Sequence, residues 1–337
     1  MCKLICAIAE AYPILCPFHE PPVIGTSVAF RELMTLIAKL ARYDVPVLIE
    51  GETGTGKELT ARAIHYNGRR SAHPFIPVNC GAIPDTLFES ELFGHRHGAF
   101  TGASDDQPGL VVLAHRGTLF LDEVDSLTLK GQVSLLRFLQ DQQYRPVGGG
   151  SVRQADVRVI GASNQSLDEL AAARQFRHDL LYRLKLMHVR VPALRERHGD
   201  ARLLAEHFIH TASGRFAKPA KVFAIDTLAW FDQYEWPGNV RELEHLVYRE
   251  FLLSDDTQLR IPPPASRQPT LTLHGSAPTY RQAKAAAIEA FERQFLTTLM
   301  ARSGGCVSAA ARLVQTERRH LGKLLKRYRI DPVHLKA

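Results

Sequence analysis

The chain has 337 residues, 45% of them hydrophobic and 23% charged, with a formal net charge of +7. That length suits two or three domains with ordinary buried cores, and the absence of any apolar run near the roughly 18 residues of a membrane span argues against an integral helical membrane protein. Positive charge is concentrated at one end: residues 280 to 337 carry twelve Lys or Arg against four Asp or Glu, a net of +8, so everything upstream sums to about −1.

Residues 1 to 22 form a short leading segment with Cys2, Cys6, Cys16 and His19, whose spacing matches no ligand pattern. Its apolar stretch is broken at Glu10 and Pro13 and lacks a cleavage pattern, so it is no signal peptide. Next, Val45 to Glu50 reads as a buried parallel strand, and the segment from Lys57 onward has helical spacing. Between them lies GETGTGKE, comprising Gly51, Glu52, Thr53, Gly54, Thr55, Gly56, Lys57 and Glu58. Its glycines allow a tight turn that aims backbone N–H groups at phosphate oxygens, and the following helix start adds partial positive charge. Lys57 is placed to reach the β- and γ-phosphates. A bare G-x4-G-K arises by chance in roughly one chain in ten of this size, so the strand and helix context carries the reading. Glu58 stands where a Mg²⁺-binding Ser or Thr is usual, which shifts metal binding to acids elsewhere.

Further along, Gly98, Ala99, Phe100, Thr101, Gly102 and Ala103 spell GAFTGA, an aromatic between glycines, inserted between the phosphate loop and an acidic strand end. After it, Thr118 to Leu121 is a second short apolar run ending in Asp122 and Glu123. A carboxylate at the C-terminal end of a parallel strand beside a phosphate loop can hold Mg²⁺, and its neighbour can polarise an attacking water. Asp122 is therefore the expected metal residue and Glu123 the expected general base. Asn79 follows the strand Phe75 to Val78, and Asn164 follows the strand Val157 to Ala162. Pro237 and Gly238 fit a turn opening a helix that contains Arg241.

With these motifs in order, the chain from about Val23 to Ile261 resembles the AAA+ ATPase domain of bacterial sigma-54-dependent transcriptional activators. The family's own phosphate loop has Glu after Lys, and further similar stretches are VNCGAIPDTLFESELFGH, LLRFLQDQQYRPVGG, FRHDLLYRL and WPGNVREL. The resemblance implies an α/β fold, a parallel sheet flanked by helices over 23–190, with a helical lid over 191–261. It implies ATP and Mg²⁺ as cofactors and the GAFTGA loop as the contact with sigma-54 RNA polymerase. It gives Asn79 the restraint of the catalytic glutamate, Asn164 the first sensor, and Arg241 the second. Arg177 and Arg183 match arginine fingers acting on a neighbouring subunit's ATP, so activity would require a homo-oligomer, a hexameric ring or a mixed ring with a related activator. Arg96 and His97 stand where many relatives begin with an acid, which leaves open any ion pair coupling this loop to the nucleotide site.

Residues 262 to 279 are rich in Pro, Ser and Thr and read as a linker. Over 280–337 an amphipathic helix from Tyr280 to Arg302 precedes two shorter ones, Ser308 to Val314 and Glu317 to Tyr328. This all-α unit resembles a Fis-type helix-turn-helix, with Arg318, Arg319, His320, Lys323, Lys326 and Arg327 on or beside the recognition helix facing double-stranded DNA. Gln315 and Thr316 replace the usual Gly-Ile of the turn, and Thr316 is a candidate cap. Because a sensory domain needs at least about 50 residues, none is expected before Val23, and control is expected from a partner protein in trans, from a mixed ring or from expression level. The expected setting is cytoplasmic, with no membrane insertion and with reduced Cys80 and Cys306. A DNA-binding regulator using ATP only for assembly, or an AAA+ chaperone or DNA motor, are the alternatives. The six-residue loop argues against both.

Overall fold

The computed structural model describes residues 23–100, 102–263, 296, 299–300, 303, 306–314, 316 and 318–327. The calls on residues 1 to 22, Thr101, residues 264–279 of the 262–279 linker, most of the helix beginning at Tyr280, Gln315, Glu317 and Tyr328 lie outside them, as do the side chains of His320, Lys326 and Arg327. The chain forms two compact units, residues 1–263 and 264–337.

In the first unit, helix α1 (Val28–Ala41) leads into strand β1 (Val47–Glu50), helix α2 (Lys57–Tyr66) and strand β2 (Phe75–Asn79). Then come α3 (Phe88–Phe93), β3 (Thr118–Asp122), α4 (Leu129–Asp141), β4 (Arg158–Ser163), α5 (His178–Leu184) and β5 (Met187–Arg190). The five strands are parallel and ordered β2-β3-β4-β1-β5. Side chains alternate across a pleated strand, so β1 sends Val47 and Ile49 to one face and Leu48 to the other. Val47 and Ile49 join Leu33, Ile37, Ile64, Phe120 and Ile160 beneath α1 and α2. Leu48 joins Leu119, Leu121, Leu135, Phe138, Leu180 and Leu184 beneath α4 and α5. The result is a three-layer α/β/α body.

A helical subdomain follows. Helix α6 (Asp200–Phe216) packs on α7 (Asn239–Leu253) around Leu204, Phe208, Trp236, Leu243, Val247 and Phe251. Its first residue, Asp200, is fully buried. Asp200 accepts hydrogen bonds from the Thr26 N–H at 2.7 Å, the Ser27 N–H at 3.0 Å, the Ser27 hydroxyl at 2.9 Å and Arg197 Nε at 2.9 Å. Arg197 also donates to the Ile24 carbonyl at 2.6 Å, so the entry to α1 is tied to this subdomain.

In the second unit, α8 (Val307–Leu313) and α9 (Arg318–Arg327) bury Ala310, Ala311, Leu321 and Leu325 against Leu296, Leu299 and Met300. Arg318, Arg319 and Lys323 are exposed. The Thr316 N–H donates to Ala311 O at 3.0 Å and its hydroxyl donates back to Val314 O at 3.3 Å. No helix among the described residues is long and apolar enough to cross a membrane.

Candidate functional site

The parallel order places the C-terminal ends of β1, β3 and β4 side by side, and the loops leaving them meet. From β1 the chain turns through Gly54 at φ 80° and Gly56 at φ 95°, left-handed values that suit glycine. The turn is then fixed by the Thr55 hydroxyl donating to Glu52 O at 2.8 Å. Lys57, only 7% exposed, folds into the loop, its Nζ donating to Gly51 O at 2.8 Å and Glu52 O at 3.1 Å. It also donates to Asn164 Oδ1 at 2.5 Å, which joins the loop to the end of β4. Burial holds the Lys57 ammonium below its usual range, while the Asp122 carboxylate pulls the other way.

Asp122 ends β3. Burial raises its carboxyl, opposed by the Glu123 N–H, which donates to Asp122 Oδ1 at 3.0 Å. Glu123 follows at φ 55°, a left-handed conformation uncommon for a residue with a Cβ and one that redirects the chain into a short turn at Val124–Ser126. Gly81, unnoticed in the sequence, makes room for the Glu123 carboxylate: a Cβ there would sit 2.6 Å from Glu123 Oε2 and 3.3 Å from Asn79 Oδ1. Asn79 and Glu123 thus flank one glycine. The Asn79 amide oxygen accepts from the Ala82 N–H at 3.1 Å, and no hydrogen bond joins it to Glu123. Asn164 is held from the other side, its N–H donating to Asp125 Oδ1 at 3.3 Å. Behind the site, burial beside Asp122, Asp125 and Glu123 pushes the Cys80 thiol up to about 12, so it stays protonated.

The residues fit a magnesium nucleotide. A half-buried Asp122 facing Lys57 offers one carboxylate, and among the described residues no group of three or more His, Cys, Asp or Glu forms a closed metal cage. One carboxylate plus phosphate oxygens and water is the usual donor set for Mg²⁺. Glu58 does not add to that set: its carboxylate accepts from Arg62 at 2.8 Å on the exposed face of α2, leaving only its backbone N–H at the helix start for phosphate. Arg241 stands over the loop from α7, its N–H donating to Gly54 O at 3.4 Å. Arg183 is exposed on α5, whereas Arg177 pairs with Asp179 through hydrogen bonds of 3.0 and 2.7 Å. Neither arginine hydrogen bonds to the phosphate loop of its own chain.

Gly98 and Gly102 adopt φ 77° and 109° with open space around both, and between them Phe100 is 38% exposed with its ring 4.9 Å from His95. The loop's stem is stapled by Asp106, which pairs with Arg96 and accepts from the His97 N–H at 2.9 Å. Arg96 therefore has its acid ten residues on, at the far end of the same loop. A second loop packs alongside. The Arg96 N–H donates to Val147 O at 3.0 Å, Val147 N–H to Gly94 O at 2.9 Å, and a Cβ on Gly148 would lie 2.6 Å from that of Ala99. Sequence reading missed this second loop, although the glycine run at 148 to 150 is its signal.

Residues 23–190 match the Sigma-54 interaction domain family and residues 195–263 match the AAA+ ATPase lid domain. The chain is 42% identical over 311 residues to the hydrogenase transcriptional regulatory protein HoxA of Bradyrhizobium diazoefficiens, covering 91% of this chain and 64% of the relative. It is 38% identical over 316 residues to the regulatory protein AtoC of Escherichia coli, covering 92% and 68%. The crystal structure of NtrX from Brucella abortus in complex with ADP superimposes with a TM-score of 0.68 at 33% identity, over 97% of this chain and 72% of that one. The chain spans about half to two thirds of the length of the curated relatives it matches.

Proposed function

Since the chain belongs to the sigma-54-interaction family of AAA+ ATPases, we propose that it activates transcription by spending ATP hydrolysis on remodelling sigma-54 RNA polymerase at a promoter. The observation that carries this reading is the glycine-hinged loop with exposed Phe100, inserted between the phosphate loop and the acidic end of β3. A generic nucleotide switch has no use for such an insertion.

In this reading the N–H groups of Gly51 to Glu58 and Lys57 hold the phosphates of ATP, and Asp122 holds Mg²⁺, which when bound neutralises phosphate charge. Glu123 takes a proton from the attacking water, while Asn164 and Asn79 orient that water and the glutamate. Arg241 reads the nucleotide from the lid. Arg177 and Arg183 serve the nucleotide of an adjacent subunit in a homo-oligomeric ring, a hexamer. The ring then moves Phe100 and Thr101 against sigma-54. The helix carrying Arg318, Arg319, His320, Lys323, Lys326 and Arg327 binds double-stranded DNA upstream of the promoter, mostly through phosphate.

The test is open-complex formation on a sigma-54 promoter with purified protein and sigma-54 RNA polymerase. Opening is expected with ATP and absent with a non-hydrolysable analogue. Thr101→Ala is expected to keep ATPase activity and lose opening, and Glu123→Gln to bind ATP while hydrolysis falls at least about a hundredfold. Normal opening by Thr101→Ala would reject the loop's role, and normal turnover by Glu123→Gln would remove the proposed base.

A further inference from the structure

Glu52 is the one acid of the phosphate loop ahead of α2, and a carboxylate aimed at phosphate would repel it. Its side chain is engaged elsewhere. Both Arg195 Nη atoms donate to it, at 2.8 Å to Oε2 and 2.5 Å to Oε1, and Asn239 Nδ2 donates to Oε2 at 3.1 Å. Arg195 lies in the short turn Leu194–Glu196 by which the chain leaves the sheet, and Asn239 is the first residue of α7. These partners are 143 and 187 positions away in sequence.

Asn239 has nothing left to give water. It is fully buried at φ 52°, a left-handed conformation that Asn tolerates better than most residues with a Cβ. Besides Glu52, Nδ2 donates to Thr53 O at 3.1 Å, and Oδ1 accepts from the Leu194 N–H at 2.8 Å. One residue on, the Val240 N–H donates to Gly54 O at 3.0 Å. Three segments are thus joined at one point, two residues from Arg241. Swinging the lid, the Leu194–Glu196 turn together with α7, away from the loop breaks a two-pronged, charge-assisted pair at Arg195 and strands a buried amide at Asn239, and both cost free energy.

We propose that Glu52, Arg195 and Asn239 form a latch that holds the helical lid against the phosphate loop and thereby sets the rate at which nucleotide leaves. The three are positioning residues, and the proposal rests on the ATPase reading of the site. Arg195 first, then Asn239, holds the Glu52 carboxyl down to about 2, so the latch stays charged throughout the neutral range.

The measurement is dissociation of a fluorescent ADP analogue by stopped flow, with kcat and KM for ATP, on wild type, Glu52→Gln, Arg195→Gln and the double variant. Each single variant is expected to release the analogue about tenfold faster, Arg195→Gln raising KM with kcat within about twofold, and the double variant to be no faster than the quicker single. Release rates at the wild-type value, or single effects that multiply in the double variant, would overturn the latch. Should a charge-removing variant fail to fold, Arg195→Lys keeps the charge and loses the two-pronged fork, and the same rates decide. Wild-type protein that neither binds the analogue nor hydrolyses ATP would sink the ATPase reading itself, a different result from normal binding with unaltered release.

Discussion

At the scale of single residues, the glycines of the site are not interchangeable, and their surroundings say why. Gly54 combines a φ of 80° with a Cβ position only 2.3 Å from the Gly238 carbonyl oxygen. Gly54→Ala is expected to cost about 1 to 2 kcal/mol in backbone strain alone and to push α7 off the loop. A titration with a fluorescent ATP analogue should show affinity lower by at least about tenfold, since the strain and the displaced lid act together. Gly214, inside α6 with nothing within 4 Å, is the contrast. Gly214→Ala is expected to stabilise the fold by about 0.5 to 1 kcal/mol without touching nucleotide binding, as thermal unfolding and the same titration would show. Glu52 illustrates what a residue list conceals: its place in the loop is visible in the sequence, yet its partners lie in the lid.

At the scale of elements, α2 and β3 are joined by a buried histidine. His65 is 1% exposed, its Nε2 facing the His73 carbonyl at 3.1 Å and its Nδ1 facing the Thr118 hydroxyl at 2.8 Å. The carbonyl only accepts, so the proton sits on Nε2 and Thr118 donates to Nδ1. Burial holds the imidazole down to about 4, against 6.5 for a free one. Between those values the unfolded chain binds the extra proton, so acid favours unfolding and stability rises with pH until about 6.5. Urea unfolding across pH 4 to 7 should show wild type losing roughly 3 kcal/mol relative to His65→Gln as pH falls. Parallel curves for the two proteins would contradict that.

The elements themselves were largely legible, because buried parallel strands announce themselves as short apolar runs bounded by turn residues. Where the edges differ, the cause is local. The run read from Val45 becomes strand only at Val47, since Pro46 has no N–H to give a neighbour. The strand read over Val157 to Ala162 is Arg158–Ser163, because two polar residues are buried with their needs met: Arg158 donates to Val45 O and Leu40 O, and the Ser163 hydroxyl donates to Gln165 O. The contributions of Gly81, Arg195 and Asn239 were not legible. Each depends on contact between segments far apart in the chain, which no local pattern encodes.

At the scale of the whole molecule, the question is what a single chain lacks. Lys57, Asp122, Glu123, Asn164 and Arg241 converge within one unit, while Arg183 is exposed on α5 without an ion pair among the described residues. If Arg183 completes a neighbour's site, Lys57→Ala and Arg183→Ala proteins should each be inactive alone and regain measurable phosphate release when mixed. Each then supplies what the other is missing. Failure of the mixture, with both variants still assembling, would assign the finger elsewhere. The strip Ile24 to Ser27 bears on how such proteins are best engineered. Its groups satisfy Asp200 and Arg197, a buried pair 0% and 6% exposed. A fragment cut at Val28 would retain every described helix and strand of the first unit and still leave this buried ion pair without the hydrogen bonds of Thr26, Ser27 and the Ile24 carbonyl, a loss of about 1 to 3 kcal/mol. The workable seam for fusing, tagging or transplanting this ATPase unit therefore lies ahead of Ile24, several residues before the first described helix, α1.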